Sequence, residues 1–316
     1  MPKVPKTNAR EAAFTVLLQT EREAAYANLA LKKYLDQNRL SPADARLASQ
    51  IVYGTARMKI ALDHIISQLL TRPSAKLMTE ARVILRLSLF QLAYLTRVEP
   101  YAVTDEAVEL ARAHGNESIA RLVNAVLRSY LRREDKDSLL PGREAGFDYL
   151  HLTLSYPKWL ADYLLSRFGF EDAERFCLAM NDHPGVYLRT NTVRLRREEL
   201  QAALSRCGVT AVPAGYAYET LRVEQGGGRV ASGTPFLSGG CTVQGPASQL
   251  AAHALHPESG SRVLDLCAAP GGKTTHLAAL MADRGDIRAF DIHPHKIALI
   301  EANLKRLGLT CVKAEA

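Results

Sequence analysis

The 316 residues carry 40 Lys and Arg against 33 Asp and Glu, a net charge of +7, and 47% of them are hydrophobic. That apolar share excludes a disordered chain, and the length suits two or three domains. No run of about 18 apolar residues occurs, and the start, MPKVPKTNAREAAF, lacks the hydrophobic segment of a secretory signal. A cytoplasmic protein without membrane attachment is expected. Residues 1–140 hold 21 Lys/Arg and 15 Asp/Glu, so nearly all the excess lies there, and a polyanionic partner would be held by that part. Cys177, Cys207, Cys241, Cys267 and Cys311 show neither CxxC pairing nor a Cys/His cluster at metal-ligand spacing. Reduced thiols are expected, with no metal.

From Asn8 to about Arg133 the apolar period is helical, broken at short intervals. Ser41-Pro42-Ala43-Asp44 predicts a helix start, with a capping hydroxyl, proline in the first turn and a carboxylate near the free N–H groups. Leu85, Leu89 and Leu92 predict one buried stripe. The flanking Arg82, Arg86 and Arg97 are read as solvated surface. A helix from Thr104 to Gly115 should follow, and then SIARLVNAVLRSYLR, with Leu122, Val123, Val126 and Leu127 inward. The charged stretch EDKDSLLPGREA, residues 134–145, predicts a linker. Ser155 to Trp159 predicts another helix start.

Between Gly185 and Pro235 the composition changes to a small mixed α/β region, with the strand GVYLRTNTVRL and the helix REELQAALSRCG. SRVLDL then predicts a buried strand, Lys273 to Met281 a helix, DIRAFDI a strand, Lys296 to Leu307 a helix and TCVKAE a third strand. That order is half of a doubly wound, Rossmann-like parallel sheet. The fold class is therefore multidomain: an all-α bundle, a small α/β region and the first half of a doubly wound sheet.

The loop LDLCAAPGGKTT ends like a phosphate-binding loop in Gly272-Lys273-Thr274, but the first glycine that G-x-x-x-x-G-K-[ST] requires is Cys267 here. An NTPase is thereby disfavoured, and the dinucleotide spacing G-x-G-x-x-G is absent too. Ala268, Ala269, Gly271 and Gly272 permit close backbone approach, and a negative group would meet helix N-terminal N–H groups and Lys273. Asp291 ends the second strand, where a carboxylate accepts hydrogen bonds from ribose hydroxyls. These features suit an adenosine cofactor without a pyrophosphate, such as S-adenosylmethionine. An ordinary tight turn followed by a strand-end Asp is the bland alternative.

VLDLCAAPGGKTTHLA closely resembles the cofactor loop of the RNA cytosine-5 methyltransferases of the Sun/NOL-NOP type. YLRTNTVR (Tyr187–Arg194) and FLSGGCTVQGPASQLAA (Phe236–Ala252) resemble elements ahead of that loop. VYGTARMKIALD, RLSLFQLAYL, YAVTDEAVELA and VNAVLR resemble the RNA-binding helical domain of antitermination factors. The chain as a whole is similar to bacterial enzymes that methylate a cytosine of small-subunit (16S) ribosomal RNA.

The resemblance implies a NusB-like RNA-binding domain over 1–140, linker helices and a small α/β RNA-binding region over 141–240, and the N-terminal part of a methyltransferase domain over 241–316. It implies that Cys267, Ala268, Ala269, Pro270, Gly271, Gly272 and Lys273 surround S-adenosylmethionine and that Asp291 binds its ribose. The partner it implies is small-subunit ribosomal RNA, with a monomer at full length. Where the family carries an acidic residue this chain has Gly245, which puts the local support of the loop in doubt.

Carbon 5 of cytosine is a poor nucleophile. A thiolate must first add to carbon 6, and the carbon-5 proton must later leave. In the family that thiolate comes from a Pro-Cys or Thr-Cys segment after the later strands, and none of the five cysteines lies in such a segment, Cys311 being in the predicted third strand. Cys267 lies within the loop expected to wrap the cofactor, so no residue here is assigned to catalysis. The chain is expected to be a fragment of a longer protein, sticky and catalytically silent, with Val263 and Leu264 on an unpaired sheet edge. The alternative is a non-catalytic RNA-binding or antitermination-like module.

Overall fold

A computed structural model describes residues 8–23, 25–70, 77–182 and 185–316. The chain divides into two compact units, Met1–Asp182 and His183–Ala316. The segment 141–182 thus belongs with the helical part, and 183–240 shares a unit with 241–316. Among the described residues no helix is long and apolar enough to cross a membrane.

The first unit contains α1 (Ala9–Glu23), α2 (Ala27–Gln37), α3 (Pro42–Arg57), α4 (Lys59–Leu69), α5 (Thr79–Tyr94), α6 (Pro100–His114) and α7 (Glu117–Arg132). Helix α5 differs from the expected single stripe. Leu85, Leu87 and Leu89 are all fully buried and every residue from Val83 to Gln91 is buried, so this stretch of α5 is enclosed on all sides as the bundle's central helix. Arg86 is accordingly not a surface residue. It is 5% exposed and donates to both oxygens of Asp63 at 2.6 and 2.7 Å, with Glu21 at 3.2 Å. Buried Arg10 is likewise held, by Gln91 at 2.7 Å and Glu106 at 2.6 Å. The formal positive charge of this unit therefore overstates what is free to meet phosphates.

Helix α6 starts four residues earlier than Thr104, because Pro100 takes the first helical turn, where its missing N–H costs nothing. In α7, Val123, Val126 and Leu127 are buried and Leu122 is half-buried. Ser41 accepts from the Asp44 N–H at 3.1 Å ahead of Pro42, as expected. Ser41→Ala should cost the helical unit about 1 kcal/mol, read as a lower urea midpoint at unchanged slope.

The stretch 134–145 is not a free linker. It forms 3-10 turns at Asp137–Leu139 and Arg143–Ala145, and Leu139 inserts into the bundle core. A π-helical turn at Tyr149–Thr153 leads to α8 (Lys158–Asn181), interrupted at Gly169. Ser155 accepts from the Ile60 N–H at 3.0 Å and so caps α4. Trp159 is 70% exposed on α8.

The second unit begins with β1 (Val186–Thr190), α9 (Arg197–Arg206), β2 (Thr210–Pro213), β3 (Thr220–Gln225), α10 (Thr234–Leu237), β4 (Cys241–Val243) and α11 (Pro246–Leu255). The strands form an antiparallel sheet in the order β2-β3-β1-β4. Side chains alternate across it. Leu188 and Leu221 pack with Leu200 and Leu204 of α9, while Arg189 points to the opposite face. Then follow β5 (Arg262–Asp265), α12 (Gly272–Leu280), β6 (Asp286–Phe290), α13 (Pro294–Leu307) and β7 (Val312–Glu315). Their strands form a parallel sheet in the order β5-β6-β7. Among the described strands β5 pairs with β6 alone. On that edge Leu264 is 65% exposed, whereas Val263 is buried in the core shared with Ile287 and Ile300.

Candidate functional site

The loop between β5 and α12 is braced at both ends. Asp265, the last residue of β5, accepts from the Thr274 hydroxyl at 2.7 Å and from the Cys267 N–H at 3.4 Å. Ala268 donates its N–H to Phe290 at 2.9 Å, tying the loop to the end of β6. The Ala269–Pro270 peptide is cis, and Gly271 has φ +95°, a conformation that favours glycine. Ala268 and Gly271 are buried, Ala269 and Gly272 half-buried, and Cys267, Pro270 and Lys273 exposed.

Asp291 follows β6 directly. One carboxylate oxygen accepts from the Ala269 N–H at 3.2 Å and the other from the His293 N–H at 3.1 Å. The His293 hydrogen bond, with that of Ala269 and the nearby Lys296, holds this carboxyl below its usual range despite burial. An ionised carboxylate has about four acceptor sites, so Asp291 retains capacity for two hydroxyls while supporting the loop. The first N–H groups of α12 have no intrahelical partner and carry the positive end of the helix dipole. The eight residues selected from the sequence are thus contiguous in space: seven form one loop, and the eighth is hydrogen-bonded to it.

Beneath this loop lies a polar cluster that sequence reasoning missed. Arg189, 2% exposed, donates to the Gln244 side chain at 2.6 Å, to the Gly272 carbonyl at 2.7 Å and to the Thr275 hydroxyl at 2.9 Å. Buried Glu219 places one oxygen 2.6 Å from the Nε2 atoms of both His253 and His276. Burial drives the Arg189 guanidinium down to about 9, against the favourable field of Glu219. Burial also pushes Glu219 up, but the hydrogen bonds from His276, its own backbone and His253 outweigh this and bring it to about 2. His276 is held below its usual value, first by burial and then by Arg189 and His253, against the pull of Glu219. The neutral ring donates Nε2–H to Glu219, and its buried Nδ1 has no partner among the described residues.

The donor atoms of Glu219, His253 and His276 lie within 4.8 Å of one another, as a metal site would require. Sequence spacing could not reveal this, since the three residues come from three separate segments. Donors on a tetrahedral zinc, each about 2.0 Å from the ion, stand about 3.3 Å apart. The 2.6 Å separations here are those of hydrogen bonds, and a dication would be added beside buried Arg189. The arrangement is a hydrogen-bonded ion network.

Gly245, where the resemblance expects an acidic residue, is the N-cap of α11 and offers that helix no side-chain cap. A cleft of about 520 Å³ in the helical unit is lined by Arg143, Glu144, Gly146 and Phe170, but Arg143 is already paired with Glu171 and Glu174. Burial pushes the thiols of Cys177 and Cys241 up to about 11 and that of Cys311 to about 12. Cys267 is exposed on the loop.

Three family models match successive parts of the chain: the NusB family over residues 7–132, an RsmF/B-like ferredoxin-like domain over 156–230, and 16S rRNA methyltransferase RsmB/F over 252–316. In Bacillus subtilis the protein named "Probable ribosomal RNA small subunit methyltransferase B" is 37% identical over 98% of this chain and 68% of its own length. A Synechocystis protein of the same name is 34% identical over 97% of the chain and 68% of its own. The Klebsiella pneumoniae protein named "Ribosomal RNA small subunit methyltransferase B" is 33% identical over 88% and 62%, respectively. Among solved structures, PH0851 shares the fold, at a TM-score of 0.74 and 22% identity over 99% of this chain and 70% of that one. With this loop, this succession of domains and this degree of identity, the chain belongs to the ribosomal RNA small subunit methyltransferase B family.

Proposed function

We propose that this chain carries the RNA-docking and cofactor-binding parts of an S-adenosylmethionine-dependent enzyme that methylates carbon 5 of a cytosine in small-subunit ribosomal RNA. The three parallel strands are read as the first half of a doubly wound methyltransferase sheet, with the cofactor at the carboxyl ends of β5 and β6. The observation that carries this reading is the placement of Asp291 against Ala269, beside the free N–H groups that open α12. Cys267 to Lys273 would enclose the methionine and adenosine parts, and Asp291 would accept from the ribose. When bound, S-adenosylmethionine supplies an electrophilic methyl group. The residues present bind and orient it and exclude water. None of the five cysteines is assigned as the nucleophile. The helical unit and the four-stranded sheet hold the RNA, with phosphate contacts that weaken steeply as salt rises. The target cytosine must leave its stack to be reached.

The test is transfer of a labelled methyl group to small-subunit RNA by the complete gene product, followed by base analysis. Label at carbon 5 of cytosine is the expected result, and label at another base or position would refute the assignment. Asp291→Ala removes a charged acceptor and should weaken S-adenosylmethionine binding about 10- to 100-fold. Unchanged affinity in the folded variant would remove Asp291 from the site. Retained RNA binding with no affinity for the cofactor would favour a non-catalytic RNA-binding module.

A further inference from the structure

We propose that Arg189, on β1 of the antiparallel sheet, is a positioning residue that fixes the Gly271–Gly272 turn of the cofactor loop with its N–H groups facing the ligand. The inference rests on reading that loop as the cofactor site. Two adjacent glycines give the turn wide backbone freedom, which its own hydrogen bonds, Gly271 N–H to the Ala268 carbonyl at 2.6 Å and Thr275 N–H to the Gly271 carbonyl at 2.9 Å, restrict only in part. In a trans peptide the C=O and N–H point in opposite directions, so holding a carbonyl on one side presents the following N–H on the other.

Arg189 provides that hold on two consecutive carbonyls. One guanidinium nitrogen donates to the Gly272 carbonyl at 2.7 Å, which directs the Lys273 N–H outward. The other donates to the Thr275 hydroxyl at 2.9 Å, and that hydroxyl donates to the Gly271 carbonyl at 2.7 Å, which directs the Gly272 N–H outward. Lysine, with one nitrogen and no planar fork, cannot span both.

Burying this cation is costly, and Arg189 Nε has no partner among the described residues. Apolar packing alone would not call for an arginine here. The surrounding residues are arranged to keep it charged and in place: Gln244 accepts from it, and Glu219 supplies the counter-charge and is itself fixed by His253 and His276. His276 and Thr275 are neighbours on α12, so counter-ion and relay hydroxyl are both anchored to the helix that the turn begins. The strand carrying Arg189 pairs with β3 and β4, which links the antiparallel sheet to the shape of the cofactor loop.

Calorimetric titration with S-adenosylmethionine, alongside amide hydrogen exchange, tests this on the chain and its variants after circular dichroism has shown them folded. Arg189→Met should weaken binding about 30-fold or more, and Thr275→Val, which keeps the shape and removes the relay, about 10-fold. Thr275→Ser should restore affinity to near wild type, a rescue that a merely space-filling role would not give. Exchange at Gly271 and Thr275, whose N–H groups are hydrogen-bonded to the Ala268 and Gly271 carbonyls, should quicken in Arg189→Met and Thr275→Val, while β6 and β7 stay protected. Should Arg189→Met fail to fold, the Thr275 pair decides. Wild-type affinity and exchange in folded Thr275→Val would overturn the proposal. Failure of the wild-type chain to bind S-adenosylmethionine would instead overturn the cofactor reading beneath it.

Discussion

Glu219→Gln should destabilise the second unit by about 2–3 kcal/mol, because it keeps the shape but removes the carboxylate that His253 and His276 hydrogen-bond and the negative field that favours the buried Arg189 cation. Adding Arg189→Met to that variant should recover part of the loss, since the unpaired charge is then gone. A double-mutant cycle from urea unfolding, followed by circular dichroism, measures the coupling. Strictly additive effects would mean that the two side chains do not depend on each other.

The same carboxylate gives a signed pH dependence. Its folded value of about 2 lies below the ordinary 4.5. Its contribution is therefore full above about pH 4.5 and is lost as pH falls toward 2, an amount of about 3 kcal/mol at one unit per 1.4 kcal/mol. His276 acts in the same direction and begins earlier. Its folded value is depressed below 6.5, so the unfolded chain takes up a proton first and stability falls as the solution is acidified from about pH 6.5. In Glu219→Gln the decline between pH 4.5 and 2 should be shallower than in the wild type.

Gly239→Ala is the second large effect. Gly239 has φ +79°, and an added Cβ would stand 1.9 Å from the carbonyl oxygen of Arg306 at the end of α13. Backbone on both sides cannot yield as a flexible side chain would. The contact is built up from several sides: Asn191 donates to the carbonyls of Gly239 and Leu307, both at 2.9 Å, and Arg306 donates to those of Phe236 and Cys241, both at 2.8 Å. We expect a loss of about 3 kcal/mol or more from overpacking and a left-handed alanine together. Because the junction joins the antiparallel sheet to α13, affinity for S-adenosylmethionine should fall with it. A variant that melts within about 1 kcal/mol of the wild type would show that the two elements can separate without cost.

Much of this architecture was legible in the residues. Periodicity and punctuation are local properties, and they located the helices around Ser41, the closing helix with Val123 and Leu127, and the alternating strands and helices from Arg262 onward. Strand ends and helix starts pointed to Ala268, Ala269, Gly271, Gly272, Lys273 and Asp291, because a ligand would meet free backbone groups there, and the family resemblance added Cys267 and Pro270. The errors arose where tertiary context overrode local pattern. Arg86 looked like surface until Asp63 and Glu21 were brought to it from other helices, and Leu139 turned a charged, Pro-Gly stretch into a docked segment. The Arg189 cluster was invisible for the same reason, its members standing at positions 189, 219, 253 and 276. One signal was available: His276 sits between Thr275 and Leu277 in a helix of small and apolar residues, where a titratable ring inside a buried run calls for a partner.

Calorimetric titration of the chain with S-adenosylmethionine, with ATP and NAD as controls, tests the central claim most directly. Binding of S-adenosylmethionine alone, weakened by Asp291→Ala, is the predicted result. Absence of binding by folded protein, or equal binding of ATP with magnesium, would contradict the assignment of the Cys267–Lys273 loop.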